Sequence, residues 1–351
     1  MPRSFLCAMW AGGGNVGPFL CLAEHLRARG HTVRAVATAS LAERLAGAGV
    51  DLVAAPDGWL PTAADLMAAA DRTEPDLVVV DYMLTDALGG AETLPCPSVA
   101  LVHTLYRELL VDGAPHPMGM AGPVEALNPG RIAAGLTPLR SHGDLLAAAD
   151  LVLVAAPRAL DAPGEVPGNV RYAGPLLEGT GSDDGWEPPA GSGPVVVVSL
   201  GTAGDPAAEL PVLRRIVAAL GGLAVRGLVT LPTSIEPHRL GAVPADVTVG
   251  GYVRHAAVLP HADVLVTHAG LGSVVAAVAH GVPMVALPFD RDQPDNARAL
   301  VRMGAGVALP TAASSDEIAA AVADQLARST SPRVTVDPRP AVDLLEALAG
   351  G

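Results

Sequence analysis

Residues 264–273 have the sequence Val-Leu-Val-Thr-His-Ala-Gly-Leu-Gly-Ser. A short apolar run that stops at a polar residue is typical of a buried parallel strand, and the glycines after it indicate a tight turn into a helix. His268 follows the strand directly, and Ser273 opens the helix. Gly270 and Gly272 let a ligand approach the backbone closely. Because free N–H groups and the positive end of the helix dipole face one point beside an imidazole, the stretch predicts an anion site sized for a diphosphate.

Other polar side chains lie on the same predicted sheet edge. Asp292 and Gln293 follow the next strand, where a carboxylate beside an amide supplies acceptors and donors for sugar hydroxyls. Tyr252, on the preceding loop, offers a flat face on which a nucleobase can stack. The stretch has no acidic cluster of the kind that holds Mg²⁺, so we expect no metal and no cofactor.

On both sides of this stretch, apolar runs alternate with helical segments, and they do so in both halves of the chain. The predicted strands are 4–10, 31–37, 77–80, 98–102 and 151–155, then 195–200, 228–231, 247–249, 264–266, 284–287 and 306–309. This pattern predicts an α/β fold of two Rossmann-like, doubly wound domains facing a central cleft. A stretch rich in Gly, Ser, Pro and Asp marks the linker. The predicted division is an N-terminal domain 1–177, a linker 178–194, a C-terminal domain 195–340 and a terminal helix 341–351.

Composition excludes several classes of partner. The 351 residues carry a formal net charge of −14, and every basic residue is Arg. Such a chain repels phosphate backbones and anionic headgroups, so we expect neither nucleic acid nor membrane partners. Three separated cysteines in apolar surroundings, with no signal peptide and no long apolar run, indicate reduced thiols in a cytoplasmic protein.

The N-terminal loop raises an alternative. Gly12-x-Gly14-x-x-Gly17 follows a strand and precedes a helix, as in a dinucleotide-binding fingerprint, and taken alone this suggests an NAD- or FAD-dependent enzyme such as an NAD-dependent oxidoreductase. The acidic residue expected at the end of the second strand is missing, since residues 36–40 are Val-Ala-Thr-Ala-Ser. The loop also fits the strand-to-helix turn of any doubly wound domain.

The motif string at residues 252–296 resembles the donor-binding signature of GT-B nucleotide-sugar glycosyltransferases that decorate bacterial natural products. The resemblance covers nearly the whole chain. Supporting segments are 14–18, 128–138, 169–175 and 199–202. In this comparison the N-terminal domain is the acceptor-binding one and the C-terminal domain the donor-binding one.

The resemblance implies an inverting, metal-independent transfer, of hexosyltransferase type, from a UDP- or dTDP-sugar to a small apolar acceptor. We expect a monomer or a homodimer. By the same likeness, the diphosphate is held by His268, the N–H groups of Gly270, Gly272 and Ser273, and Thr202; the base by Tyr252 and Val253; the sugar by Asp292 and Gln293; and the acceptor by Gly14 and His116.

One catalytic position departs from that family. Its usual general base is a histidine where this chain has Asn15, and an amide cannot deprotonate a hydroxyl near neutral pH. One explanation is another base: His103 follows a strand on the same sheet edge, with Asp81 placed to orient it, and His116 and His142 are weaker candidates. A second is an acceptor that is already nucleophilic and that Asn15 only orients. A third is an auxiliary nucleotide-sugar-binding protein without transfer activity. A nucleotide-sugar epimerase of the same fold is a related alternative.

Overall fold

The structure is a computed structural model, and it describes residues 1–54, 60–110, 124–179, 187–201, 204–232, 234–328 and 330–351. The chain forms two compact units, residues 1–178 with 336–351, and residues 179–335. Residues 336–340, which the sequence pattern puts in the second domain, thus group with the first unit. The physical reason is local: Asp337 accepts hydrogen bonds from the backbone N–H and the guanidinium of Arg339, which begins the terminal helix.

The first unit is built on a parallel sheet. Its strands are β1 (Ser4–Met9), β2 (Thr32–Ala37), β3 (Asp51–Ala54), β4 (Leu77–Asp81), β5 (Ser98–Val102), β6 (Leu151–Val154) and β7 (Val170–Tyr172). Its helices before the terminal one are α1 (Val16–Ala28), α2 (Ala42–Gly47), α3 (Ala63–Thr73), α4 (Thr85–Ala91), α5 (Asn128–Ala133) and α6 (His142–Ala148). The strand order is β3-β2-β1-β4-β5-β6-β7, so the ends of β1, β4 and β5 lie side by side.

The second unit repeats this plan. Its strands are β8 (Val195–Ser199), β9 (Arg226–Thr230), β10 (Val247–Gly250), β11 (Val264–Thr267), β12 (Met284–Ala286) and β13 (Gly306–Ala308). Its helices are α7 (Pro206–Gly221), α8 (His255–Val258), α9 (Leu271–His280), α10 (Gln293–Arg302) and α11 (Ser315–Leu326). The strand order is β10-β9-β8-β11-β12-β13, all parallel. The prediction of an α/β fold with two parallel, doubly wound sheets is therefore confirmed.

Short 3₁₀ turns join several elements. They are Ala39–Leu41, Arg107–Leu110, Val124–Leu127, Arg158–Leu160, Pro237–Leu240 and Leu259–His261. The first of them leads directly into α2. Gly30 closes α1 with φ +86°, the left-handed conformation expected at a helix C-terminus. α1 begins at Val16, and Pro18 is tolerated in its first turn, where no N–H is needed.

The terminal helix α12 (Arg339–Leu348) belongs to the first unit. It buries Ala341, Val342 and Leu345 in that unit's apolar core. Glu346 accepts from Arg29 and is within 2.6 Å of the His31 ring nitrogen Nε2. Burial and ion pairing together hold the end of the chain against α1 and β2. Within the described parts of the chain, no helix combines the length and the apolar character needed to cross a membrane.

Candidate functional site

In the first unit, three predicted residues meet at the adjoining ends of β1, β4 and β5. Asp81 is the last residue of β4 and is fully buried. Its carboxylate accepts from Asn15 Nδ2 at 2.9 Å and from the Met83 N–H at 2.9 Å, and lies 3.0 Å from His103 Nε2. A buried carboxylate requires such donors, since it has lost its water. The sequence prediction that Asp81 and His103 lie together is therefore met in the geometry.

The Asp81 contact orients the His103 ring. A carboxylate oxygen accepts hydrogen bonds, so Nε2 is the ring nitrogen that donates to Asp81, and Nδ1 is left as the acceptor. The imidazole is 9% exposed and lies at 4.9 Å, centroid to centroid, from the Tyr82 ring. A histidine oriented by a buried carboxylate is the arrangement that activates a nucleophile in many enzymes.

Asn15 has a different task in this cluster. Its Nδ2 group donates to the Trp10 carbonyl at 2.9 Å as well as to Asp81, so both amide hydrogens are used. Asn15 therefore orients the Asp81 carboxylate. Its Oδ1 is buried without a hydrogen-bond partner among the described residues. Gly14 beside it is exposed, with open space where a side chain would be, and His116 lies outside the described residues.

In the second unit, the turn after β11 carries His268. Every residue of β11 is buried, and the imidazole follows at the strand's end. Its Nδ1 is buried without a partner among the residues that the structure describes. Burial lowers the pKa of His268 to about 4, and the nearby Ser199 carbonyl opposes this. The ring is therefore neutral at pH 7, and it can contribute one N–H donor without carrying a charge.

Two glycines make room for this ring. A Cβ on Gly270 would lie 2.5 Å from His268 Nε2, and one on Gly201 would lie 2.9 Å from it. From the sequence, we expected Gly270 to leave room for a ligand. In the structure, the space beside Gly270 is filled by the His268 imidazole. A Cβ on Gly272 would have no other atom within 4 Å, so this glycine does leave space for a ligand.

The start of α9 offers backbone donors. Within the described chain, the N–H groups of Gly270, Leu271 and Gly272 have no hydrogen-bond partner. The N–H of Ser273, in contrast, donates to the Gly270 carbonyl at 3.0 Å. The free donors are thus Gly270, Leu271 and Gly272, so the expectation for Ser273 is corrected: a 3₁₀-type bond that tightens the first turn uses its N–H.

The turn also contains a left-handed residue that is not glycine. Ala269 has φ +64° and is fully buried. For a residue with a side chain, this conformation costs roughly 1–2 kcal/mol. The Ala269 N–H donates to Thr267 Oγ1 at 3.2 Å, and its carbonyl accepts from Asn296 Nδ2 at 3.0 Å. These two bonds hold the conformation that brings His268 and the N–H groups together.

Asp292 and Gln293 lie at the start of α10. Gln293 is buried, and its Oε1 accepts from the N–H groups of Phe289 and Asp290 at 2.8 and 3.3 Å. Its carboxamide oxygen therefore shapes its own loop. Its Nε2 lies 3.5 Å from Asp290 Oδ1, so the second N–H of this group is the donor left for a ligand. Asp292 is half-buried, and one of its oxygens accepts from Asn296 at 2.9 Å, which leaves the other for a ligand.

The predicted base-binding residues follow β10. The Tyr252 side chain is 65% exposed, which is unusual for so large a side chain, and Val253 is half-buried. An exposed aromatic face is available for stacking. Thr202 lies outside the described residues.

Sequence reasoning missed Glu209, in the first turn of α7. The side chain is 3% exposed, and its Oε2 has no partner among the described residues. Burial, followed by the negative charge of Asp205, raises the pKa of Glu209 to about 7, while Arg291 opposes this. A buried carboxyl near Asp290 and Arg291 was not visible in the sequence, because helical spacing alone does not separate it from an exposed glutamate.

Replacing Glu209 with Gln is expected to stabilise the protein at pH 8. The stability associated with the protonated carboxyl is complete below its usual pKa of 4.5 and is lost as the pH rises through about 7. Glutamine keeps the neutral form at every pH, so the gain in free energy of unfolding reaches up to about 3 kcal/mol at pH 8 and vanishes towards pH 4. Urea unfolding of both proteins across this range measures it. An equal gain at both ends of the range contradicts the assignment.

Among the described residues, no group of three or more His, Cys, Asp or Glu side chains could hold a metal ion. The residues described above supply uncharged side-chain donors, backbone N–H groups and carboxylates. Such a set binds an anion through dipoles and hydroxyl groups through carboxylate oxygens.

Several known proteins resemble this chain in sequence and in fold. The family model described as UDP-glucoronosyl and UDP-glucosyl transferase matches residues 139–330. The 4'-demethylrebeccamycin synthase of Lentzea aerocolonigenes is 26% identical, over 88% of each chain. The crystal structure of the calicheamicin glycosyltransferase CalG4 is 26% identical, with a TM-score of 0.77 over 100% of this chain and 99% of that one.

A further structure shares the fold. It is that of the glycosyltransferase VinC in complex with dTDP, which is 17% identical, with a TM-score of 0.73 over 99% of this chain and 95% of that one. The family match covers more than half of the chain and the whole of the site in the second unit. It favours sugar transfer over the oxidoreductase that the N-terminal glycine loop suggested. The chain therefore belongs to the UDP-glucoronosyl and UDP-glucosyl transferase family and is a glycosyltransferase of the GT-B fold.

Proposed function

We propose that this glycosyltransferase transfers a sugar, with inversion and without a metal ion, from a UDP- or dTDP-sugar to a small apolar natural-product acceptor. The observation that carries the proposal is the turn after β11, where a neutral imidazole and free N–H groups converge. The relatives' names support the acceptor class, since they include a rebeccamycin and a calicheamicin enzyme.

The donor's diphosphate binds at this turn. His268 and the N–H groups of Gly270, Leu271 and Gly272 donate to its oxygens, and the positive end of the α9 dipole adds to them. These donors are fixed before the reaction, so they stabilise the charge that develops on the leaving diphosphate. The complex of VinC with dTDP supports a nucleoside diphosphate as the ligand.

Sugar and base bind on either side of the turn. The free oxygen of Asp292 accepts from sugar hydroxyls, and the Gln293 Nε2 group donates to a sugar oxygen. Tyr252 stacks on the base, and the Val253 backbone hydrogen-bonds to the base's polar edge. Binding measurements with both nucleotides distinguish a uracil from a thymine donor.

The acceptor is activated in the first unit. His103 Nδ1 removes the proton of the acceptor hydroxyl, whose oxygen then forms the bond to the anomeric carbon. The bond between that carbon and the diphosphate oxygen breaks, and the diphosphate leaves with the electron pair. Asp81 stabilises the imidazolium that forms, and Asn15 holds Asp81. A single displacement of this kind inverts the anomeric configuration.

We also propose a cytoplasmic location and a monomeric or homodimeric state. The thiols of Cys7 and Cys21 are buried and free, and burial raises the pKa of both to about 12, so they stay protonated and unreactive. This supports a chain that needs no disulfides.

Thermal-shift and calorimetric titrations with UDP, dTDP and NAD test the donor assignment. We expect one of the two nucleoside diphosphates to stabilise the protein and NAD to have no effect. Stabilisation by NAD alone would remove the proposal. Incubation of the matching nucleotide sugars with phenolic, amine and alcohol acceptors then tests transfer, and donor binding without any transfer would indicate the auxiliary role instead.

A further inference from the structure

A single buried amide connects two parts of the donor site. Asn296 lies in the first turns of α10 and is fully buried. Its Nδ2 donates to the Ala269 carbonyl at 3.0 Å and to Asp292 Oδ2 at 2.9 Å. The first partner belongs to the turn that carries His268, and the second is the carboxylate assigned to the sugar.

The chemistry of the partners fixes the orientation of this amide. A carbonyl oxygen and a carboxylate oxygen both accept hydrogen bonds, so only the NH₂ side of Asn296 can face them. Both of its hydrogens are thereby used. Its Oδ1 is buried without a hydrogen-bond partner among the described residues. The structure thus satisfies the two donors of this amide and leaves its acceptor unpaired there.

We propose that Asn296 is a positioning residue that sets the diphosphate turn and the sugar carboxylate together. The proposal rests on the proposed function, which assigns the diphosphate to the turn after β11 and the sugar to Asp292. Asn296 itself touches no reacting atom. It acts through Ala269, whose left-handed backbone it holds, and through Asp292, whose carboxylate it orients.

Neighbouring residues allow the two effects to be separated. Thr267 holds the same turn from the other side, since its Oγ1 accepts the Ala269 N–H, and it makes no hydrogen bond to Asp292. Asp292 carries the sugar assignment without touching the turn. Of these three residues, Asn296 is the one that hydrogen-bonds to both the turn and Asp292, so its substitution should combine two losses that the other substitutions show singly.

The test measures affinity for whichever of UDP and dTDP the wild type binds, and for the matching nucleotide-glucose. Asn296→Ala and the isosteric Asn296→Asp are expected to bind the nucleoside diphosphate about tenfold more weakly, and also to lose the extra affinity contributed by glucose. Thr267→Val should weaken nucleoside diphosphate binding by a similar factor and keep the glucose contribution. Asp292→Ala should lose only the glucose contribution. Arg298→Ala, an exposed position on α10, is the control and should match the wild type.

A rescue experiment distinguishes positioning from general support of the fold. Glycine adopts the left-handed conformation without strain, so Ala269→Gly in the Asn296→Ala background should restore nucleoside diphosphate affinity to within about threefold of the wild type. It should not restore the glucose contribution, because Asp292 still lacks its donor.

The outcomes are distinct. Unchanged nucleoside diphosphate affinity in Asn296→Ala and Asn296→Asp overturns the proposal, and so does a double variant that Ala269→Gly fails to rescue. If Asn296→Ala does not fold, Thr267→Val and Asn296→Asp decide, and equal affinities for wild type and both variants count against it. If the wild type binds neither UDP nor dTDP, the proposed function is wrong, and the role proposed for Asn296 is wrong with it.

Discussion

Substitution of His268 by alanine is expected to lower kcat for sugar transfer by about 10²–10³-fold, because removal of one preorganised donor to a leaving oxyanion has this effect. The pKa of His268 is lowered to about 4, so the neutral ring contributes a hydrogen bond rather than a charge. Its loss should therefore raise the donor KM less than it lowers kcat. Steady-state kinetics with donor and acceptor varied separately measure both constants.

A matched control lies at the other end of the same helix. His280 is the last residue of α9, and its pKa is also lowered by burial. His280→Ala should keep kcat within about threefold of the wild type, which separates the removal of any half-buried histidine from the removal of the donor. A second variant, His268→Asn, keeps a side-chain donor and fills part of the space between Gly201 and Gly270. Wild-type turnover in His268→Ala would contradict the role of the turn in departure of the diphosphate.

Substitution of His103 by alanine is expected to lower kcat about 10²–10⁴-fold with a hydroxyl acceptor, since the proposed general base is then removed. The donor KM should stay near the wild-type value, because the residues assigned to the nucleotide belong to the second unit. Asp81→Asn should also lower kcat strongly. An amide has no charge to stabilise an imidazolium, and it does not fix the tautomer of the neutral imidazole.

His142→Ala is the control for His103, because sequence reasoning named it as a weaker base and it lies on α6. It should turn over at the wild-type rate. Asn15→Ala should have an intermediate effect, because it removes one of three hydrogen-bond donors to Asp81 and leaves the imidazole in place. If His103→Ala turns over as fast as the wild type while donor binding is intact, the acceptor does not need a base there.

The sequence determined much of the fold because the strands are continuous apolar runs. Ser98–Val102 begins and ends where the pattern predicts, and most of the other predicted strands agree within one or two residues. The pattern did not resolve β3 (Asp51–Ala54), which is a short edge strand with an exposed first residue and only partly buried residues after it. The sequence pattern placed residues 336–340 in the C-terminal domain, whereas in the structure they group with the first unit. This grouping depends on contacts of Asp337 and α12, which a local sequence pattern does not show.

The site was predictable wherever a polar residue ends a buried strand. Asp81 and His103 follow neighbouring strands, so parallel pairing alone brings them to one edge. The direction in which an amide points was not predictable. Gln293 turns its oxygen into its own loop, and Asn296 reaches across to Ala269, because each satisfies buried backbone groups that the sequence does not display.

We infer that the turn after Thr267 stabilises a doubly charged leaving group through hydrogen bonds from an imidazole and peptide N–H groups. A crystal structure of the protein soaked in UDP or dTDP would show whether a diphosphate binds there. We predict diphosphate oxygens within hydrogen-bond distance of His268 and of the N–H groups of Gly270, Leu271 and Gly272. A diphosphate bound instead at the glycine loop near Gly13, or a turn left empty at saturating nucleotide, would show that the turn after Thr267 is not the diphosphate site.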